Sequence, residues 1–444
     1  MRKRSLFGLA VLVVVIAGVG FVAWNLRGPR AIDPSTPAFS GSADTSPNSL
    51  ANSADPVKRG LYLAQLGDCV ACHTAPGGKP FAGGLALDTG FGIVYASNIT
   101  PDKDTGIGGW TDQEYLHAVR DGVGRHGAPL YPAMPYNDYA LVSDQDLLAI
   151  KAYLNTVPAV SNKVPDIKMP FPFNIRQAMW GWNLLFFKNH TYVADAGQSA
   201  EWNRGAYLVL GLGHCTACHT PKNFIGGDKG GEALQGFQLQ GWYAPELSNN
   251  PYQGLGKWSI DELVGYLKTG GNVHSVASGP MAEAVYNSTQ HFNNDDLKAM
   301  AVYLKSLPGS DHQRPDPLQA SDDAMKLGQQ VYAANCAACH ISSGTGVSGM
   351  VTSFSGAPGI QAPDPSSLIH TVLLGSRGAA TLTNPTAAAM PNFSWKLSDA
   401  QTAAVLTYIR NAWGNAAEPV TIDQVASARA ALKAKPFMGE EAHR

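Results

Sequence analysis

The sequence predicts an all-α chain: three tandem helical units behind an amino-terminal transmembrane helix. Three observations carry this. The five-residue pattern Cys-x-x-Cys-His occurs three times and uses all six cysteines. Helix-forming segments recur in the same order around each copy. An uncharged apolar run from Leu6 to Leu26 follows the basic residues Arg2, Lys3 and Arg4.

The three copies are Cys69-Val70-Ala71-Cys72-His73, Cys215-Thr216-Ala217-Cys218-His219 and Cys336-Ala337-Ala338-Cys339-His340. This is the attachment pattern of a c-type haem. Two thiols must add to two vinyl groups on one porphyrin edge, and the following His must reach the iron. A structural zinc site would need a second ligand pair close by in the chain, and none of the copies has one. A thioredoxin-like pair would lie in a βαβ context, which is absent from the pattern here. The prediction is therefore three covalently bound haem c groups, held through Cys69, Cys72, Cys215, Cys218, Cys336 and Cys339, with His73, His219 and His340 as axial ligands.

Each motif sits in a repeated frame. Upstream stand Arg59-Gly60-Leu61-Tyr62, Arg204-Gly205-Ala206-Tyr207 and Gly328 with Tyr332. Glycine inside a helix costs about 1 kcal/mol relative to alanine, so its recurrence predicts close approach of another helix. Pro56 marks the start of the first of these helices. Middle helices are expected over Trp110-Thr111 to Arg120 and Trp258-Ser259 to Lys268, with a weaker third copy from Pro365 to Leu374. Final helices are expected from Ser143, Asn294 and Ser398, each followed by Asp, a good cap and first turn. Pro158, Pro308 and Gly414 end them. Helix, haem motif, loop, middle helix, loop and final helix is the plan of a small cytochrome c-type haem domain, three times over.

The same frame selects the second axial ligands. Met134 in Pro132-Ala133-Met134-Pro135, Met281 in Gly279-Pro280-Met281 and Met390 in Ala389-Met390-Pro391 each stand shortly before a final helix. They follow their histidines by 61, 62 and 50 residues. Met opposite His raises a haem's potential relative to two histidines. The rivals are His117 or His126 in the first unit, His274 or His291 in the second and His370 in the third. Met300 and Met325 fall at apolar helix positions and are expected in cores. Met169, Met179, Met350 and Met438 fit no repeat.

The expected domain boundaries follow. Residues 1–5 are a cytoplasmic basic start, 6–26 the transmembrane anchor and 27–54 a Pro/Ser/Ala/Gly-rich flexible tether. Residues 55–160, 200–310 and 320–420 are the three haem domains. Residues 161–199 form an aromatic strap, expected to serve interdomain packing or to be a docking surface, and 421–444 form a tail. Because covalent haem attachment takes place outside the cytoplasm, this arrangement places the chain in a bacterial inner membrane with its haem domains facing the periplasm. The net charge of −2 gives no basic field for nucleic acid.

Beyond its haem motifs, the chain carries Gly67-Asp68 before the first motif and Thr74-Ala75-Pro76-Gly77-Gly78 after it. Asn98-Ile99-Thr100-Pro101-Asp102, Leu130-Tyr131-Pro132-Ala133-Met134-Pro135-Tyr136 and Trp413-Gly414-Asn415 complete the set. With these, residues 55 to 420 resemble the triheme cytochrome c subunits of bacterial membrane-bound dehydrogenases for alcohols, gluconate, sorbitol, fructose and aldehydes. The resemblance implies a separate catalytic subunit of quinoprotein, flavoprotein or molybdopterin type. It implies that this chain accepts electrons from that subunit and passes them to ubiquinone or a terminal oxidase, with no catalysis on substrate by itself. Many relatives have a cleaved signal, from which the long amino-terminal run departs. The competing expectations are a free-standing multihaem electron donor and a c-type haem peroxidase; the latter needs an iron with an open position, and each repeat offers a Met instead.

Overall fold

The computed structural model describes residues 15–16, 18–23, 30–33 and 50–434. They fall into two compact units: residues 1–217 with 222–229, and residues 218–221 with 230–444. The boundary falls inside the second Cys-x-x-Cys-His motif.

In the first unit, α1 (Pro56–Leu66) begins where Asp55 accepts a hydrogen bond from the Val57 amide and Pro56 fills the first helical position. The first haem motif follows on its own short helix, Cys69–Cys72. Two short strands, β1 (Ala86–Asp88) and β2 (Ile93–Tyr95), pair antiparallel with Ala86 opposite Tyr95. The middle helix α2 (Asp112–Asp121) is closed by a reciprocal cap between Thr111 and Glu114. The final helix α3 (Asp144–Leu154) is capped by Ser143. It packs along α1. The crossing point is Gly60, where a Cβ would come within 1.8 Å of the Ala149 carbonyl oxygen. Arg59, beside it, reaches the buried Asp146 carboxylate at 2.6 Å. The strap contributes α4 (Ala178–Phe186), and α5 (Ala200–Tyr207) leads through a π-turn at Leu208–Leu212 to the second motif on the helix Cys215–His219. Tyr207 hydroxyl donates to Asp146 at 2.6 Å and accepts from the Ser143 amide at 3.1 Å.

In the second unit, β3 (Phe237–Leu239) pairs antiparallel with β4 (Trp242–Ala244). Then come α6 (Ile260–Thr269), with a reciprocal Ser259–Glu262 cap, and α7 (Asn294–Ser306), capped by Asn293. The last repeat supplies α8 (Asp323–Asn335), the motif helix Ala337–His340, α9 (Ser366–Leu374) and α10 (Asp399–Asn411). A two-residue pairing of β5 (Ser376–Arg377) with β6 (Ala389–Met390) lies between α9 and α10. Helix α8 packs on α10 as α1 does on α3: a Cβ on Gly328 would come within 2.2 Å of the Ala404 carbonyl oxygen. The recurring glycine thus has the predicted cause at Gly60 and Gly328. Beyond the expected units, α11 (Ile422–Ala434) buries Val425 in the last core, and its Arg429 binds Asp399 at 2.7 Å. Residues 435–444 of the expected tail lie outside the described residues.

Two expectations are corrected. The fold is not all-α, because three short antiparallel hairpins form in loops expected to be irregular. Hairpins of two or three residues per strand are too short to leave an alternating pattern in sequence. Nor is the transmembrane anchor at 6–26 supported: among the described residues no helix is long and apolar enough to cross a membrane. The inner-membrane, periplasm-facing localisation built on that anchor loses its support with it. Residues 6–14, 17 and 24–26 lie outside the described residues. Residues 15–16 and 18–23 are helical and lie against α4. Gly20 is buried against the Trp180 main chain, Ile16 sits on Gly181, and Phe21 meets the Trp180 ring edge-on at 6.1 Å. An apolar run does not reveal from composition alone whether protein or lipid covers it. Most of the expected tether also lies outside the described residues. Within it, Arg30 donates to the Ala140 carbonyl at 3.1 Å and the Asp33 amide to Asp144 at 2.9 Å.

The crossing at Gly60 makes a paired prediction. Gly60→Ala forces α1 off α3 and lowers stability by about 1–3 kcal/mol. Gly265→Ala, on α6 with nothing within 4 Å of its Cβ, raises stability by about 0.5–1 kcal/mol. Denaturant unfolding of both variants checks this, and equal effects would refute the packing argument.

Candidate haem-binding sites

The six cysteines form no disulfide with one another and lie on or at the mouth of the three motif helices. Burial, with Asp68 adding to it, pushes the Cys69 thiol up to about 12, and burial pushes Cys336 up to about 11. Among the described residues no group of His, Cys, Asp and Glu is arranged to hold a metal ion.

The histidines of the first two motifs are fixed by main-chain carbonyls. His73 Nδ1 lies 2.7 Å from the Ser97 carbonyl, just past β2, and His219 Nδ1 lies 2.6 Å from the Pro245 carbonyl, just past β4. A carbonyl can only accept, so Nδ1 must carry the proton and the lone pair of the neutral ring resides on Nε2. That is the tautomer an iron requires, and the outer hydrogen bond raises its basicity. Burial pulls His73 below its ordinary value, against the smaller upward pull of the Ser97 carbonyl, which keeps the ring neutral. The main chain closes the same ring in both repeats: the Gly83 amide donates to the His73 carbonyl and the Gly236 amide to the His219 carbonyl. Sequence reasoning missed Ser97 and Pro245; their carbonyls act, and a carbonyl has no residue signature.

His340 is held differently. Its ring stacks on Phe354, centroids 4.5 Å apart and planes 18° apart. Its buried Nδ1 has no hydrogen-bond acceptor in the chain. The Tyr332 hydroxyl donates to the Ile341 carbonyl at 2.6 Å, tying the motif to α8. Tyr332, Tyr408, Phe354 and Trp413 form a contiguous aromatic wall.

The methionines occupy three kinds of local structure. Met134 lies in a turn whose amide donates to the Tyr131 carbonyl, packed with Leu130, Tyr136 and Phe187. Met281 is the second residue of the helix Pro280–Asn287 and packs against the cluster of Ala277, Ala282, Val285 and Ala379. Met390 is on β6, and it and Cys336 pack against one hydrophobic cluster, around Tyr332, Val405 and Ile409. Each Met falls in the same compact unit as its His. Met300 and Met325 are buried in cores as expected.

The rival histidines are mostly engaged elsewhere. His117 Nε2 is 2.5 Å from Gln113 and 3.9 Å from Asp121. His274 stacks on Trp258 and approaches Glu262 at 3.3 Å. His370, on α9, meets Trp242 edge-on at 5.3 Å, and burial pushes it down to about 4. His291 is in a short 3₁₀ turn, lowered by burial. His126 is exposed on a loop.

Within the first unit, the segments leading into the first and second motifs are bound together. Tyr139 hydroxyl donates to the Gly67 carbonyl at 3.0 Å. His214, one residue before Cys215, packs edge-on against the Tyr139 ring at 5.7 Å, with Nε2 3.4 Å from the same carbonyl. Burial keeps His214 neutral. Thr216, inside the second motif, donates to Asp138 at 2.5 Å.

Comparison with known proteins agrees with this chemistry. The model of the family described as Cytochrome c matches residues 325–413, which contain Cys336, Cys339, His340 and Met390. The chain is 42% identical over 394 residues to the gluconate 2-dehydrogenase cytochrome c subunit of Pantoea cypripedii, covering 84% of this chain and 89% of that protein. It is 41% identical to the cytochrome c subunit of the quinone-type alcohol dehydrogenase of Gluconobacter oxydans, covering 81% and 79%. It is 36% identical to the fructose dehydrogenase cytochrome subunit of Gluconobacter japonicus, covering 86% and 84%. This chain belongs to the cytochrome c subunits of dehydrogenases. As such, the cytochrome subunit carries haem c and serves electron transfer beside a catalytic dehydrogenase partner. The residues present fit the group: paired thiols on short helices, two imidazoles set in the ligating tautomer, and an aromatic wall beside the third.

Asp138 gives this cytochrome subunit a pH dependence. Burial pushes its carboxyl up to about 7, and the hydrogen bond from Thr216 offsets this only in part. The folded state therefore keeps a proton that the unfolded chain releases above 3.8. Stability falls as pH rises from 3.8 to about 7 on this account, because the native state binds more protons there. Asp138→Asn, which can still accept from Thr216, removes that slope. Urea midpoints of the holoprotein at both ends of the range check it, and a wild-type slope unchanged by the substitution would contradict it.

Proposed function

We propose that this subunit binds three haem c groups and relays electrons from its dehydrogenase partner to ubiquinone or a terminal oxidase. The observation that carries this reading is the tautomer control at the first two motifs, on top of three identical attachment patterns. In this reading Cys69 and Cys72, Cys215 and Cys218, and Cys336 and Cys339 hold the porphyrins. His73 with Met134, His219 with Met281, and His340 with Met390 are the axial pairs, in haem domains at 55–160, 200–310 and 320–420. The haem supplies one-electron redox chemistry at iron.

The chain's own residues do the rest. The imidazoles would hold the haem iron through Nε2, and the carbonyls of Ser97 and Pro245 keep two of those rings in orientation. A methionine at each matching position would hold the iron as well and leave no place for substrate or peroxide. This favours electron transfer over a peroxidase, and the engagement of His117, His274 and His370 with other partners favours Met over His. The Gly67–Tyr139–His214 contact supports passage between the first and second groups. The relatives' names support a partner that oxidises gluconate, an alcohol or fructose. They favour that over a free-standing donor.

Mass spectrometry of the mature chain is expected to show three covalent haem additions; two or fewer would end the three-haem reading. Met134→Ala, Met281→Ala and Met390→Ala are each expected to convert one haem of the three from low to high spin. Each then lets that iron bind added imidazole. A variant that stays fully low-spin and binds no imidazole would remove that Met from the ligand set. Affinity purification of the tagged subunit from its native cell is expected to recover a dehydrogenase.

A further inference from the structure

The three histidines differ in one respect that bears on electron order. In the first two repeats a β-hairpin follows the motif and delivers a carbonyl to the imidazole. β2 ends two residues before Ser97, and β4 ends directly before Pro245. The acceptor is 24 residues past His73 and 26 past His219. In the third repeat no such hairpin is built. The chain turns tightly through a single bridge, Val347 to Val351, and is already helical at Pro358. Its carbonyls and amides are spent locally: Gly346 donates to the His340 carbonyl and Phe354 to the Gly344 carbonyl. Phe354 is thereby placed flat on the His340 ring, where the other repeats have an acceptor. His340 Nδ1 is left buried and unaccepted by the protein.

A hydrogen bond from Nδ1–H to an acceptor moves electron density toward Nε2 and makes the imidazole a stronger donor to iron. Stronger donation stabilises the more positively charged oxidised iron and lowers the reduction potential; hydrogen bonding near the ligands is among the protein's main levers on that potential. His73 and His219 have this bond and His340 lacks it. We infer that His340 makes the third haem the most oxidising of the three, the site where electrons in the chain come to rest first at equilibrium. The inference rests on the three-haem His/Met reading above. With the same ligand types at all three irons, the Nδ1 partner is the difference the structure shows among the three imidazoles.

The test is a spectroelectrochemical titration of the full-length holoprotein, in which the electrode supplies one electron per iron. The wild type is compared with the variants C69A/C72A, C215A/C218A and C336A/C339A. The most positive component is expected to disappear only from C336A/C339A, and to lie at least tenfold in reduction equilibrium above the next, about 59 mV for one electron. Its loss from either other variant overturns the inference. If C336A/C339A does not fold, the other two decide the matter, since both must keep that component. A second readout does not depend on any variant: proton exchange of the axial imidazoles by NMR. Two Nδ1–H protons are expected to exchange slowly, and one, at His340, quickly; three slow protons would equally overturn it. A haem count below three by mass spectrometry would instead refute the underlying reading, so the two failures are distinguishable.

Discussion

The structure depends on one close crossing, made at Gly60 and again at Gly328, where two helices meet with no side chain between them. At Gly60 the space a Cβ would fill belongs to the Ala149 carbonyl, and at Gly328 to that of Ala404. Such contact sets the helix before the motif at a fixed distance from the final helix. The Cys-x-x-Cys-His turn is therefore presented rigidly rather than on a loose loop. The Arg59–Asp146 pair at the first crossing is buried on the Asp146 side. Breaking a buried pair costs about 3–5 kcal/mol because one charge is stranded, so the pair also penalises any shift of α1 along α3.

On that frame the proposed haem attachment and its tuning come from different parts of the chain. The proposed attachment is local: two thiols and an imidazole within five residues. Tuning is remote, reaching the ring from a hairpin in two repeats and from an aromatic face in the third. A repeated unit can then keep its attachment chemistry while varying the surroundings of each imidazole through loop length. That division suits the relay proposed above, which needs groups of one kind at unequal potentials.

Buried charge marks where further segments are fastened on. Arg120 is fully buried between Asp144 and the Arg30 carbonyl, so the described residues 30–33 are held by hydrogen bonds of the main chain. At the other end, Arg429 of α11 binds Asp399 and the carbonyls of Ser394 and Leu397. The first attachment has no periodic signature, whereas α11 packs Val425, Ala428 and Leu432 at helical spacing against the last core. The apolar run at 6–26 shows the opposite case, where a strong composition signal predicted a membrane span that the described helices do not contain.

The sequence by itself determined the threefold Cys-x-x-Cys-His pattern, the cap positions at Ser143 and Ser398, and the glycines at the two crossings. Each of these is written in side-chain type at short range, where chemistry and spacing leave few alternatives. Asn293 was one residue from the expected cap, within the ordinary latitude of helix ends. Only the tertiary structure decided which imidazoles have an acceptor. The groups that provide it, the carbonyls of Ser97 and Pro245, are common to every residue, and only a folded hairpin brings them within 2.7 Å of a ring two dozen positions away.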